Sequence, residues 1–492
     1  MQPKVGMNKT TAIISIGTGI AIQSILSIVL EITVARYFKP LDFATYQQTI
    51  MVLSFAPLLT FGFIESVIYF ASFYNDDRKI ISYTFYHLLF TGAISSLLIY
   101  LLRTNIASWF KNPDLEVTLR FYCFIPLFSF IMTMIPNYFI GKNKFVISRN
   151  LSITATGIIA VTIISVIFLY SNLNPSSVLL VRLLVTALVA TILFFFLVIQ
   201  AGWFFASFRL SDYRQLFNYA FSLGITRFIP VINVNMDKLM VSTMLGPVSF
   251  AYYKIGATEI PLSAILILSL GSALLPFYVN SIKNNNLFET HRTWCKGTLR
   301  AAMVSFPIGF LFFFFAPFII TTVFGKTYEP SSNIFRIYSL LLLIRINDSD
   351  VLAKAFNMNT IILYASLFAL IFNVILNLIL IHILGAQGAA LSTLFTVILA
   401  WMYRLTKYSK LLECKFSEIV PWRKLGVLIF ASSCCCGIAK SIPLLLGKET
   451  VITVAIGTMS GLVIYFLFIW NFGELDRQER KILKKFLNPL KS

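Results

Sequence analysis

Long apolar runs, each closed by a short polar or basic stretch, recur along this chain from residue 11 to residue 473. They fall at 11–35, 45–72, 82–102, 117–140, 148–170, 177–204, 217–244, 253–278, 299–324, 333–356, 359–384, 388–408, 425–446 and 451–473. Runs of this kind are long enough for an α-helix, rising 1.5 Å per residue, to cross roughly 30 Å of hydrocarbon. Transmembrane strands would instead show short segments alternating between apolar and polar positions. The pattern therefore predicts an all-α polytopic membrane protein of fourteen transmembrane helices. The first run, from Thr11, is too long for a signal-peptide core and has no small-x-small cleavage site, so it is read as a retained span.

Composition agrees with that reading. The 492 residues are 58% hydrophobic and only 12% charged, with a mean hydropathy of +0.82, whereas soluble chains carry about 25% charged residues. The longest polar stretches, 279–298 and 409–424, are too short for a soluble domain. A net charge of +20 would suit nucleic acid, but the basic residues are scattered between apolar runs and form no patch, which excludes that partner. They have a topological use. With the N-terminus inside, 26 Lys and Arg fall in cytoplasmic segments, against seven opposite: Arg36, Lys39, Arg103, Lys111, Lys254, Lys326 and Lys448. This bias places both termini in the cytoplasm. The tail Glu474–Ser492 spaces Ile482, Leu483, Phe486, Leu487 and Leu490 as an amphipathic helix among basic residues, suited to anionic headgroups.

A repeat organises the spans. Phe38-Lys39-Pro40-Leu41-Asp42-Phe43-Ala44-Thr45-Tyr46 follows the first, and Leu245-Gly246-Pro247-Val248-Ser249-Phe250-Ala251-Tyr252-Tyr253 follows the seventh. Proline, Phe-Ala and tyrosine coincide at one offset of 207 residues, about 34 per span and loop over six spans. An even-numbered unit returns the chain to the same side, as in parallel repeats. The predicted organisation is a six-helix lobe at 1–204, a second at 205–410, an extra helix pair at 411–473 and the basic tail at 474–492.

These residues resemble the polysaccharide flippase family, of O-antigen type, within the multidrug/oligosaccharidyl-lipid/polysaccharide exporter superfamily. The stretch Ala35-Arg36 through Tyr46 resembles the segment after that family's first helix, with Ala44 where glycine is usual. Asp237-Lys238 resembles its acidic–basic pair ahead of the second copy. Asn373 and Asn377, followed by Gly385-Ala386-Gln387-Gly388-Ala389, resemble its eleventh-helix asparagine pair and the turn into the twelfth helix. The resemblance implies export of an undecaprenyl-pyrophosphate-linked oligosaccharide across the bacterial cytoplasmic membrane by alternating access. It implies membrane lipids as surroundings, H+ or Na+ as the coupling ion and a polysaccharide polymerase as a partner. A peptidoglycan lipid-precursor flippase and a multidrug/cation antiporter of the same superfamily are the alternatives.

Ionisable residues inside spans are expensive and mark candidate sites. Arg227 and Lys238 are eleven residues apart, about 20° off one helical face, and with Arg345 they are the candidate ligands for a pyrophosphate. The structural alternative is local ion pairing, Asp237 with Lys238 and Arg345 with Asp348 at i, i+3. Glu31, Glu65, Asp237 and Glu259, in the first, second, seventh and eighth spans, are the candidate coupling acids. Arg120, Arg182, Arg336 and Lys440, near span ends, are expected to snorkel to the interface. Pro57, Pro261, Pro276 and Pro307, with Gly62 and Gly271, are expected to bend their spans. The six cysteines form no C-x-x-C pair, the three histidines are far apart, and no P-loop or Asp-rich metal motif occurs. No cofactor, metal or enzymatic activity is expected.

Overall fold

The computed structural model describes residues 9–74, 76–202, 209–258, 271, 274–447 and 449–471. The amphipathic tail predicted at 474–492 lies outside them, as does Glu259. The described residues are helical, with no strand among them. Among the described residues nine helices are long and apolar enough to cross a membrane, or eleven if two sharply bent pairs each count as one span. Hydropathy predicted fourteen. Of the remainder, 253–278 falls largely outside the described residues, and 333–356 is interrupted by a non-helical stretch at 344–350. The outward surface is what lipid requires: Phe168 is 80% exposed and Ile199 79%, positions that water would penalise and acyl chains solvate.

The chain divides into two compact units, residues 1–252 and 253–492. The first contains α1 (Lys9–Tyr37), α2 (Pro40–Leu53), α3 (Phe63–Phe73), α4 (Asp77–Trp109) and α5 (Asp114–Tyr122). It continues with α6 (Ile125–Gly141), α7 (Phe145–Leu169), α8 (Pro175–Ala201) and α9 (Leu210–Leu245). Helix α6 is central and packs on α3, α4, α7 and α8. Phe70, Ile81, Leu88, Phe130, Ile135 and Leu193 form the core there, and Leu216 and Ala220 of α9 join it. Local chemistry sets the starts: Pro40 and Pro175 open their helices, where a missing N–H costs nothing, and Asn174 Oδ1 caps α8 by accepting from the Ser177 amide at 2.8 Å.

The second unit follows α10 (Pro247–Gly256), which begins in the first. It holds a helix at 274–283, α11 (Leu287–Phe314), α12 (Ala316–Phe324), α13 (Ser331–Ser339) and the short α14 (Val351–Ala355). Two hairpins complete it, α15 (Asn359–Leu384) with α16 (Ala386–Leu411) and α17 (Trp422–Leu445) with α18 (Val451–Asn471). Gly388 lets α16 start against the backbone of Leu380, where any Cβ would collide.

Among the described residues four expected spans are broken rather than continuous, the ninth, 299–324, at Phe315 between α11 and α12. The second leaves its helix at Leu53, makes a 3-10 turn over Ala56–Thr60 and restarts at Phe63 with a bend of 43°. Pro57 and Gly62 were expected to bend this span, and Gly62 takes a φ of +80°. The fourth bends by 53° between α5 and α6, which the apolar pattern did not reveal. Pro126, in the first turn of α6, cannot donate to the carbonyl of Tyr122, so the ladder restarts there. The tenth unwinds at 344–350, so Arg345 and Asp348, the i, i+3 pair of the structural alternative, lie outside any helix. Conversely, α11 runs unbroken through Pro307 and α9 through Pro230.

Candidate translocation site

Helix α9 carries Arg227, Asp237 and Lys238, and its 36 residues are continuous, so the shared face inferred for positions 227 and 238 survives at the level of the backbone. The Arg227 side chain lies outside the described residues. Asp237 is 6% exposed, and its Oδ1 accepts from the Lys238 amide at 2.8 Å. The half-buried Lys238 turns its ammonium back along the helix and donates to the Val234 carbonyl at 3.1 Å.

Helix α9 is fastened along the rest of its unit at three levels. At its start, Lys79 pairs with Asp212 at 3.2 Å, the Arg209 amide donates to Tyr83 Oη at 2.9 Å, and Tyr213 shares a hydrogen bond with His87 Nδ1 at 2.9 Å. His87 stacks on Phe63 with centroids 3.7 Å apart, while its Nε2 lies 3.0 Å from the Thr60 carbonyl in the broken second span. At mid-helix the backbones touch. A Cβ on Gly224 would lie 2.5 Å from the carbonyl carbon of Phe61, and one on Gly62 would lie 2.6 Å from the Gly224 nitrogen. Only glycine at both positions allows this approach.

At its far end α9 meets a buried polar network. Gln48 Nε2 donates to Ser242 Oγ at 2.6 Å, and Asn112 Nδ2 donates to Gln48 Oε1 at 2.6 Å and to Thr45 Oγ1 at 2.9 Å. Thr49 and Thr118 share a hydroxyl–hydroxyl bond of 2.7 Å beside it, and Lys111 Nζ reaches the Met244 carbonyl at 2.9 Å. One further residue departs from expectation. Arg182 does not snorkel outward but donates to Tyr46 Oη at 2.7 Å, inside the helix pack. Nothing in the sequence pattern announced this network, because Gln48, Asn112 and Ser242 are uncharged and come from three separate segments.

The other candidates are dispersed. Glu65 sits half-buried in the first turn of α3, the helix that packs on α9, where a carboxylate also complements the helix dipole. Glu31 is half-buried on α1, which packs chiefly on α7. Arg345 belongs to the second unit, half-buried in the unwound stretch. Among the residues expected to snorkel, Arg120 is exposed and Arg336 donates to Asn333 Oδ1 at 3.1 Å, while Lys440 pairs with Glu449 over the Phe315 ring. No group of three or more His, Cys, Asp or Glu suited to a metal occurs among the described residues.

A lipid-faced bundle with broken spans and buried charges is the architecture of a multi-pass membrane transporter. Solved structures share its fold. The lipid II flippase MurJ in an inward closed conformation matches with a TM-score of 0.69 at 16% identity, covering 92% of this chain and 98% of that one. The MATE transporter VcmN of Vibrio cholerae matches at 0.55 and 13% identity, covering 83% and 97%. A family model described as polysaccharide biosynthesis protein matches residues 33–333, and the chain belongs to that family. A Shigella flexneri protein provisionally named O-antigen transporter is 23% identical over 344 residues, 66% of this chain and 78% of that one. These relatives and fold neighbours are transporters and flippases rather than enzymes.

Proposed function

We propose that this protein is a flippase that moves an undecaprenyl-pyrophosphate-linked oligosaccharide across the bacterial cytoplasmic membrane, for surface polysaccharide or O-antigen assembly. The observation that carries the reading is helix α9: a polysaccharide-family chain keeps Arg227 and Lys238 on one continuous 36-residue helix. A lipid pyrophosphate concentrates negative charge, and Arg and Lys in a low-dielectric cleft are the groups that attract it. The reading includes alternating access between lobes at 1–204 and 205–410, with Arg345 as the third cationic ligand and helices 411–473 beside the prenyl chain. Glu31, Glu65, Asp237 and Glu259 are its candidate coupling acids for H+ or Na+. Both termini face the cytoplasm, and a polysaccharide polymerase consumes the product.

A second reading, a flippase for the peptidoglycan lipid precursor, is favoured by the near-complete fold overlap with MurJ. Complementation separates the two. Expression in a host lacking its O-antigen flippase restores surface glycan under the first reading, whereas rescue confined to a host depleted of its lipid II flippase establishes the second.

A further inference from the structure

Two neighbouring helices of the first unit leave an aromatic, amide-bearing face uncovered. On α9, Gln215, Asn218, Tyr219 and Ser222 are exposed and fall within an arc of about 100°. Leu216 and Ala220, further round the helix, enter the core instead. On α3, which packs on α9, Tyr69 is 39% and Phe73 66% exposed. Their rings and that of Tyr219 form one stack. Tyr69 lies 4.2 Å from Tyr219, with 16° between the planes, and 5.4 Å from Phe73, with 12°. The buried Phe70 stands behind Tyr219 with centroids 5.5 Å apart, which fixes the stack from within the unit.

The polar groups of this face are unspent. Ser222 turns its hydroxyl back to the Asn218 carbonyl at 3.0 Å. The side-chain amides of Gln215 and Asn218 and the hydroxyls of Tyr69 and Tyr219 make no hydrogen bond to any described residue. Each amide offers donors and an acceptor, and each phenol can serve as either. No Lys or Arg falls within the arc, so the face does not suit a phosphate. Acyl chains leave such amides unsatisfied. A belt of interfacial aromatics needs only rings with their tips among headgroups; here the rings lie parallel, beside two amides. A sugar ring matches both halves of this surface. Its C–H faces pack on flat aromatic rings, and its hydroxyls take up donors and acceptors together. Arg227 follows Tyr219 by eight residues on the same continuous helix, about 12 Å further along. A pyrophosphate held there leaves the sugars attached to it free to lie along this face.

We infer that this face of α3 and α9 is the subsite for the glycan of the lipid-linked substrate. The stack of Tyr219, Tyr69 and Phe73 packs against the sugar rings, and Gln215 and Asn218 bond their hydroxyls. The half-buried Glu65 stands one turn before Tyr69 on the same side of α3, which favours a neutral over an acidic glycan. The subsite rests on the flippase reading above and adds to it the part of the protein that reads the sugar, separate from the cationic residues that answer the pyrophosphate.

The test uses the purified full chain in detergent and two probes, undecaprenyl pyrophosphate and the same lipid carrying a neutral hexose trisaccharide. Affinity is read from the rise in thermal midpoint with each lipid, as for any ligand of the native state. Wild type is expected to bind the glycosylated lipid more tightly by about tenfold. Joint replacement by Gln215→Ala and Asn218→Ala is expected to remove that preference, with an unliganded midpoint like that of the wild type. Tyr219→Phe, which keeps the ring and loses the hydroxyl, is expected to reduce the preference by a smaller factor. Arg227→Ala is expected to weaken both lipids and keep the preference. Equal binding of the two lipids by the wild type overturns the subsite and leaves the stack as an interfacial belt. So does a preference that survives the double replacement. Binding of neither lipid by the wild type overturns the flippase reading and the subsite with it, so the two failures are told apart.

Discussion

At the scale of single residues, the network at the end of α9 shows how uncharged groups hold charged helices in register. Gln48 accepts from Asn112 and donates to Ser242, so it is the hinge of the chain. Gln48→Leu strands both neighbours in a buried site, and each unsatisfied group costs about 1–3 kcal/mol. Ser242→Ala removes a single acceptor while Gln48 keeps Asn112, so it is expected to cost clearly less. Denaturation of the two purified variants checks the order, and a Ser242→Ala protein as unstable as Gln48→Leu would show that the chain is not wired through Gln48. Arg182 teaches a related lesson. Position near the start of a helix suggested snorkelling, but its acceptor, Tyr46, lies 136 residues away and is visible only once α2 and α8 pack.

At the scale of elements, hydropathy made most helices legible and most breaks illegible. The runs at 148–170, 177–204, 359–384 and 388–408 correspond closely to α7, α8, α15 and α16. The unwinding at 344–350 was hidden because Leu340–Ile344 keeps the run apolar up to the break, and the bend before α6 because Cys123 and Phe124 do the same. Of the broken spans, the second was foreseen, since Pro57 and Gly62 disrupt a helix by their own chemistry. The seam between that break and α9 carries a prediction. Gly224→Val forces a side chain into the Phe61 carbonyl and is expected to part the two segments, abolishing transport. Gly437→Val adds a side chain where nothing lies closer than 3.9 Å and is expected to leave transport near wild type. The comparison is made on surface glycan normalised to membrane protein level. Equal output from both variants would mean that the seam does not matter.

At the scale of the molecule, the chain combines two compact units, a repeated Pro–Phe-Ala–Tyr segment and a charged helix that the sequence assigned to the second lobe. The repeat has a local counterpart in the structure. Pro40 and Pro247 each begin a helix, Tyr46 and Tyr253 are both buried, and each tyrosine hydroxyl is bonded, to Arg182 and to Tyr338 at 2.7 Å. The candidate site was legible as a list of ionisable residues on α9. How that helix is held was not, because glycine seams and amide networks leave no trace in hydropathy. The central claim, movement of a lipid-linked oligosaccharide pyrophosphate through a cationic path, is tested most directly in proteoliposomes. Purified protein is reconstituted with undecaprenyl-pyrophosphate-linked oligosaccharide in one leaflet, and its arrival in the other is followed with an impermeant glycosidase. Wild type is expected to expose the glycan, Arg227→Ala to fall to the protein-free rate, and Arg227→Lys, which keeps the charge but loses the planar fork, to lie between them. Glycan exposure by correctly inserted Arg227→Ala at the wild-type rate, or none by the wild type itself, would contradict the account.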